Sequence, residues 1–329
     1  MKRKTPRMIA VGGGKGGVGK TTVTTNLALA LARIGTRVIV IDADLGAANL
    51  HTAFGVPHPK RGLADYIDEK VQSLAEVTTD GPHNVRFIGG SSRPGSADLG
   101  AAQKLRLLRG MAKLEADVVL VDVGAGSSYT IVDILAMADH KLLVVSPQLT
   151  SVHNAYALLK ACVHRVVRKH SSDETHRDLI DAALAHETRA RTIPQLLGVI
   201  RPMDHEVADR IVDTLTHFGV MLVGNQLGSP AEADALRRMT PLIHDQLLIH
   251  APLIAAIKRT PTLAGGLKAG IGTMATQTRD EAAMAFHELA RAILATDLAQ
   301  LRGEQRGAQH KTMPLWIQRG LEADAARES

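Results

Sequence analysis

Two lysines five residues apart, Lys15 and Lys20, sit in the glycine-rich stretch VGGGKGGVGKTTVTTNLALAL, Val11 to Leu31. Gly14 to Thr21 fits the spacing G-x-x-x-x-G-K-[ST], the pattern of a loop that wraps a nucleotide phosphate. Gly14, Gly16, Gly17 and Gly19, with Val18 among them, let the backbone curl until several N–H groups converge on phosphate oxygens. A helix starting near Lys20 adds the positive end of its dipole. In this arrangement Lys20 meets the β- and γ-phosphates, the Thr21 hydroxyl reaches Mg²⁺, and Thr22 bonds the α-phosphate. One lysine is enough for that grip, so Lys15 needs an explanation of its own.

The surrounding elements place the loop where the chemistry requires it. RMIAVGGG reads as a buried strand over Met8 to Val11, the helix runs from Lys20 to Arg33 and stops at Gly35, and RVIVIDAD is a second buried strand, Arg37 to Asp42. Strand, glycine loop, helix and strand form the βαβ unit of a parallel sheet. Further apolar runs at Val85–Ile88, Val118–Asp122, Leu142–Val145, Val220–Val223 and in DQLLIHAP read as strands. Helices are expected over Gln103–Leu114 and Arg279–Leu294. The strands are apolar throughout, which implies a sheet covered on both faces. Between Asn154 and Phe218 three helical patterns occur where one crossover helix would do, which reads as a helical insertion at about 170–217 on the sheet's edge. The expected organisation is one α/β domain over 1–300, with a mostly parallel central sheet, followed by a polar tail over 301–329.

KGGVGKTT, with its extra lysine, resembles the deviant Walker A of the MinD/ParA family of P-loop ATPases. The resemblance implies that Lys15 reaches across a dimer interface to phosphates held by a second copy, so that ATP becomes part of the adhesive between subunits. It extends along most of the chain. IDADLGAANLH resembles switch I, in which Asp44 positions the attacking water and contacts the Mg²⁺ shell, Asp42 supports the metal site, and Asn49 is a further matching residue. VVLVDVGAG resembles Walker B and switch II: Asp122 accepts from a metal-bound water, and Gly124 and Gly126 let the following loop approach the γ-phosphate. The strand VMLVGNQ matches one that ends in an adenine-reading asparagine, here Asn225, whose carboxamide can donate and accept at once. Val123, Gln148, Asn154 and His51 depart from the family's usual residues. The implied reaction is ATP + water → ADP + phosphate, slow until a partner stimulates it. It depends on positioning and charge neutralisation.

Other family branches fit less well. A single cysteine, Cys162, cannot supply the paired thiols of cluster carriers or arsenite pumps, and the last tyrosine is Tyr156, far from a C-terminal tyrosine cluster. What remains is the positioning branch, and VGGGKGGVGK with DADLGAANL and DVGAG looks closest to FlhG-like regulators of flagellar number. That implies an ATP-dependent homodimer with an activating or cargo protein. One thiol and no apolar run near 20 residues suit a cytoplasmic chain. The net charge of +6 is compatible with a polyanionic surface. Non-specific DNA could meet Arg165, Arg168 and Lys169, which share a helix face, with Lys160 and His164 nearby. A membrane could meet the tail's Leu315, Trp316, Ile317 and Leu321, although that apolar face is short for stable attachment. A ParA-like partition ATPase and a nucleotide-independent scaffold stay open as alternatives.

Overall fold

Strands that are apolar on both sides need a layer of helices on each face. The structure, a computed structural model, describes residues 5–46, 48–57, 59–90, 99–169, 177–178, 192–263 and 280–296. The chain opens with β1 (Arg7–Gly12), α1 (Lys20–Arg33) and β2 (Val38–Ala43). Two short helices, α2 (Leu50–Ala53) and α3 (Leu63–Ile67), precede β3 (Thr79–Asp80) and β4 (Arg86–Ile88). Then come α4 (Ala101–Ala112), β5 (Val118–Val123), α5 (Tyr129–Met137), β6 (His140–Val145) and α6 (Leu149–Lys169). The remainder is α7 (Ile193–Ile200), α8 (His205–Thr216), β7 (Val220–Leu227), α9 (Pro230–Arg237), α10 (Met239–Leu247), β8 (Leu253–Lys258) and α11 (Glu281–Ala295).

The strands form one sheet in the order β3-β4-β2-β5-β1-β6-β7-β8. Every pairing is parallel except the short β3 against β4. Alternate residues feed two cores. Met8, Ala10, Val119 and Val121 face the side covered by α4 to α8, while Ile9, Val11, Val118 and Leu120 face α1 and α11. Because β1 lies between β5 and β6, its C-terminal loop emerges at the middle of the sheet. That edge, where the strand order reverses direction, is where open α/β sheets bind ligands.

The expected α/β architecture is present, with local differences. DQLLIHAP is not a strand. Its first residues finish α10, Leu248 turns the chain with φ of +56°, and the strand begins after Pro252. An apolar run of this length fits either element, and the helical spacing of Met239, Ile243 and Leu247, all buried, decides it. The long segment after β6 includes a helix not anticipated from the sequence: α7 starts at a Thr192 cap that accepts from the Gln195 N–H. Helices α7 and α8 bury Ile193, Leu197, Val207 and Ile211 in the same core as α6 and α10. The helix expected over 171–190 falls outside the described residues except for 177–178, as does the whole 301–329 tail. No described helix is long and apolar enough to cross a membrane.

Candidate nucleotide site

The loop between β1 and α1 is held from two sides. On one side Gly14 lies so close to α6 that an added Cβ would stand 2.0 Å from the Asn154 carbonyl oxygen. Only glycine permits that approach. The adjoining Lys15 extends along the protein's rim, where its Nζ donates to Thr150 Oγ1 at 3.0 Å. On the other side Asn225 Nδ2 donates to the Val18 carbonyl at 2.8 Å, and Gln226 Nε2 donates to the Gly17 carbonyl at 3.1 Å. Gly19, with φ of +88°, passes beneath Asn225, whose Nδ2 would be 2.3 Å from an added Cβ. Gly16 and Gly17 are exposed, and Val18 is buried.

Lys20 turns inward from the first position of α1 and is 9% exposed. Burial lowers its pKa, and the neighbouring Asp122 and Asp44 carboxylates oppose that shift. Asp122 and Asp42 end adjacent strands and pair in register. Both are buried. Desolvation, reinforced by Asp42, pushes Asp122 up to about 7, while Thr21, Lys20 and Thr24 pull the other way. Desolvation likewise raises Asp42 to about 6, against hydrogen bonds from the Leu50 and Asp44 backbone. Thr24 Oγ1 donates to Asp122 at 3.2 Å.

The segment after β2 is tied down by these same groups. Asp42 accepts from Leu50 N at 3.0 Å and from Asp44 N at 3.2 Å, and so fixes both ends of the Asp44–Asn49 turn. Thr21 Oγ1 donates to Asn49 Oδ1 at 3.4 Å, linking the turn to α1. Gly124 brings the loop after β5 against the Asp44 carboxylate: its added Cβ would be 3.2 Å from Oδ1. Gly126 follows in the same loop. Lys20, Thr21, Asp44 and Asp122 thus gather in one pocket, and Thr22 is buried beside them with its carbonyl accepting from Asn26.

The donor set suits a hydrated divalent cation. Mg²⁺ keeps most of its waters and takes a hydroxyl or carboxylates plus phosphate oxygens. Thr21, Asp44 and Asp122 offer those ligands, and burial holds the Asp122 and Asp42 carboxyls above the usual carboxylate range, where a bound cation would favour their ionised forms. Among the described residues no cluster of three or more His, Cys, Asp or Glu would hold a metal without the phosphates.

Lys15 bonds Thr150 on α6, and Asn225 lies against the loop from β7. The Asn225 carboxamide has its nitrogen committed to Val18, while Oδ1 is buried without a partner among the described residues. Three participants escaped the sequence reading. Thr24, Gln226 and Thr150 lie in stretches that the motifs cover, on α1, β7 and α6, but no role was read for them there. The helix face proposed for DNA has a different occupation. Arg165 binds Asp133 of α5 through Nε at 2.8 Å and Nη2 at 3.1 Å, and Lys169 Nζ lies 3.7 Å from the same carboxylate. Lys104 approaches it from α4 at 3.6 Å. Asp133 is 2% exposed, so these cations are drawn inward to a buried charge.

The chain matches the CobQ/CobB/MinD/ParA nucleotide-binding domain over residues 9–265. It is 43% identical over 157 residues to the antiactivator FleN of Pseudomonas aeruginosa, an alignment covering 47% of this chain and 55% of FleN. It is 34% identical over 151 residues to the septum site-determining protein MinD of Synechocystis, covering 45% of this chain and 56% of that protein. The chain therefore spans about half the length of these curated relatives. The Mg-ADP complex of MinD from Pyrococcus horikoshii superposes with a TM-score of 0.59 at 21% identity, over 88% of this chain and 96% of that one.

Proposed function

The chain belongs to the CobQ/CobB/MinD/ParA nucleotide-binding family, and from that premise we propose that it is an ATP-hydrolysing switch that dimerises on ATP and positions or regulates a cellular structure. The observation that carries this reading is the contrast between its two loop lysines. Lys20 is buried among Asp122 and Asp44, while Lys15 lies at the rim with an exposed hydrogen bond to Thr150. A lysine in Lys20's place serves the phosphates of its own chain. A lysine in Lys15's place can exchange a hydroxyl for a phosphate presented by a facing copy.

Each group then has a task. Lys20 and the N–H groups of Gly16 to Lys20 hold the β- and γ-phosphates, and Thr22 reaches the α-phosphate. Thr21, Asp44 and Asp122 would hold Mg²⁺, which would neutralise charge developing on the phosphates. Asp44, fixed by Asp42, orients the attacking water. Gly124 keeps the loop before Gly126 against Asp44, where a γ-phosphate would be felt. Lys15 from the second copy completes the charge neutralisation. Asn225 reads the base: with Nδ2 held by Val18, its free Oδ1 accepts from the 6-amino group of adenine and opposes the 6-keto oxygen of guanine.

FleN is named an antiactivator and the Synechocystis relative a septum site-determining protein, and these names favour a regulatory or positioning role. An activating or cargo protein, and a membrane or nucleoid surface that recruits the dimer, complete the proposed cycle. Size-exclusion chromatography with ATP tests it. Lys15→Ala should remain monomeric and Asp44→Ala should accumulate a dimer. If both elute as the parent does in ATP and in ADP, the switch reading is wrong.

A further inference from the structure

We infer that Gln226 is a positioning residue of the phosphate loop, acting with Asn225 as a strut that aims loop N–H groups inward before any nucleotide arrives. The inference rests on the ATP-binding reading above and adds a part to that site.

The argument begins with the peptide unit. In a trans peptide the C=O and the N–H point in opposite directions, and no described peptide is cis. Gln226 Nε2 draws the Gly17 carbonyl toward β7, so the Val18 N–H of that same unit points the other way, into the loop. Asn225 Nδ2 holds the Val18 carbonyl, so the Gly19 N–H is turned inward as well. Two successive donors of the anion-binding concavity thus owe their direction to two successive side chains from another strand.

The loop needs such an external hold. Gly17 and Gly19 have φ of +79° and +88°, and glycines on either side of Val18 leave these peptide units little resistance to flipping. The strand supplying the strut is itself distorted. Pairing of β7 with β8 shifts register between Gly224 and Leu227, and Gln226 has φ of +60°. A regular strand would send residues 225 and 226 to opposite faces of the sheet. The irregularity instead directs both side chains at the same loop. Left-handed backbone is strained at a glutamine, and the double grip on Gly17 and Val18 is what this conformation provides. Asn225 also offers Oδ1 to the base, so the same dipeptide spans the base end and the phosphate end of the site.

The test uses the full chain with Mg-ATP and, separately, Mg-tripolyphosphate, which has the phosphates without a base. Gln226→Ala should weaken both by the same factor, about 3- to 10-fold, the worth of one hydrogen bond. Gln226→Asn suits left-handed backbone but is one methylene short, and should match Gln226→Ala. Gln226→Glu, nearly isosteric, should be at least as weak because a carboxylate oxygen would face the Gly17 carbonyl. In the nucleotide-free protein, hydrogen exchange at the Val18 and Gly19 amides should quicken in all three variants. Loss of ATP binding with tripolyphosphate binding intact would place Gln226 on the base or sugar and overturn the proposal, as would a Gln226→Glu variant indistinguishable from the parent. If the parent binds neither ligand, the ATP reading fails, and unchanged exchange at Val18 and Gly19 would then refute the strut on its own.

Discussion

The two halves of the phosphate loop are supported differently. Gly17 to Lys20 is gripped by β7 through two backbone carbonyls, one of them buried, and ends in a lysine enclosed by carboxylates. Gly14 and Lys15 lean on α6, by close packing at Gly14 and by an exposed side-chain bond at Lys15. Buried, mutually supporting bonds fix a geometry, while a solvent-exposed one can be exchanged at little cost. The half proposed to hold phosphate is the one tied to β7 by two side chains. The half proposed to reach another molecule ends in a side chain that can be redirected.

The largest expected effect separates the lysines themselves. Lys20→Ala should lower Mg-ATP affinity by 10²-fold or more, since it removes charge-assisted bonds worth about 1.5–3 kcal/mol each. Lys15→Ala should leave monomer affinity, measured by calorimetry at low protein concentration, within about threefold of the parent. Equal losses would erase the contrast. Next comes packing: Gly14→Ala should destabilise the fold by about 2–4 kcal/mol, because backbone stands where the methyl must go. Gly16→Ala, with nothing within 4 Å of the added Cβ, should stay within about 0.5 kcal/mol in urea denaturation.

A further effect probes the carboxylates beneath the half tied to β7. Asp122 at about 7 and Asp42 at about 6 hold protons that the unfolded chain releases near pH 4. Stability of the nucleotide-free protein should therefore fall as pH rises from about 4 to about 7 and level off above. The change should be several kcal/mol, and Asp122→Asn should flatten much of it. Denaturation midpoints across that range measure both. The smallest effect concerns the half that leans on α6: Thr150→Val frees Lys15 from its cis partner and should favour the ATP-bound dimer by about 2- to 10-fold in sedimentation equilibrium.

The extent to which these features could be read from sequence follows from how local their causes are. The loop, α1 and the strands around it were legible because glycine spacing and unbroken apolar runs are local signals. Lys20, Asp44 and Asp122 converge because each ends a strand or begins a helix at one sheet edge. The grip of Gln226 on Gly17 was not legible, since it joins residues 209 apart through an irregular strand end. Nor was the fate of Arg165 and Lys169. Helical spacing correctly puts them on one face, but only the packing of α5 on α6 shows that Asp133 waits beneath. DQLLIHAP misled because its apolar run is too short for periodicity to separate helix from strand.

Asp133 also closes a circuit. Helix α6, 21 residues long, begins where Gly14 and Lys15 rest on it and ends with Lys169 on Asp133. Asp133 belongs to α5, which starts directly after the loop of Gly124 and Gly126, and that loop returns through β5 to Asp122 beside Lys20. The candidate nucleotide site is therefore joined to α6 from two sides. A push delivered anywhere on α6, even at the tip farthest from the phosphates, has two routes back to them.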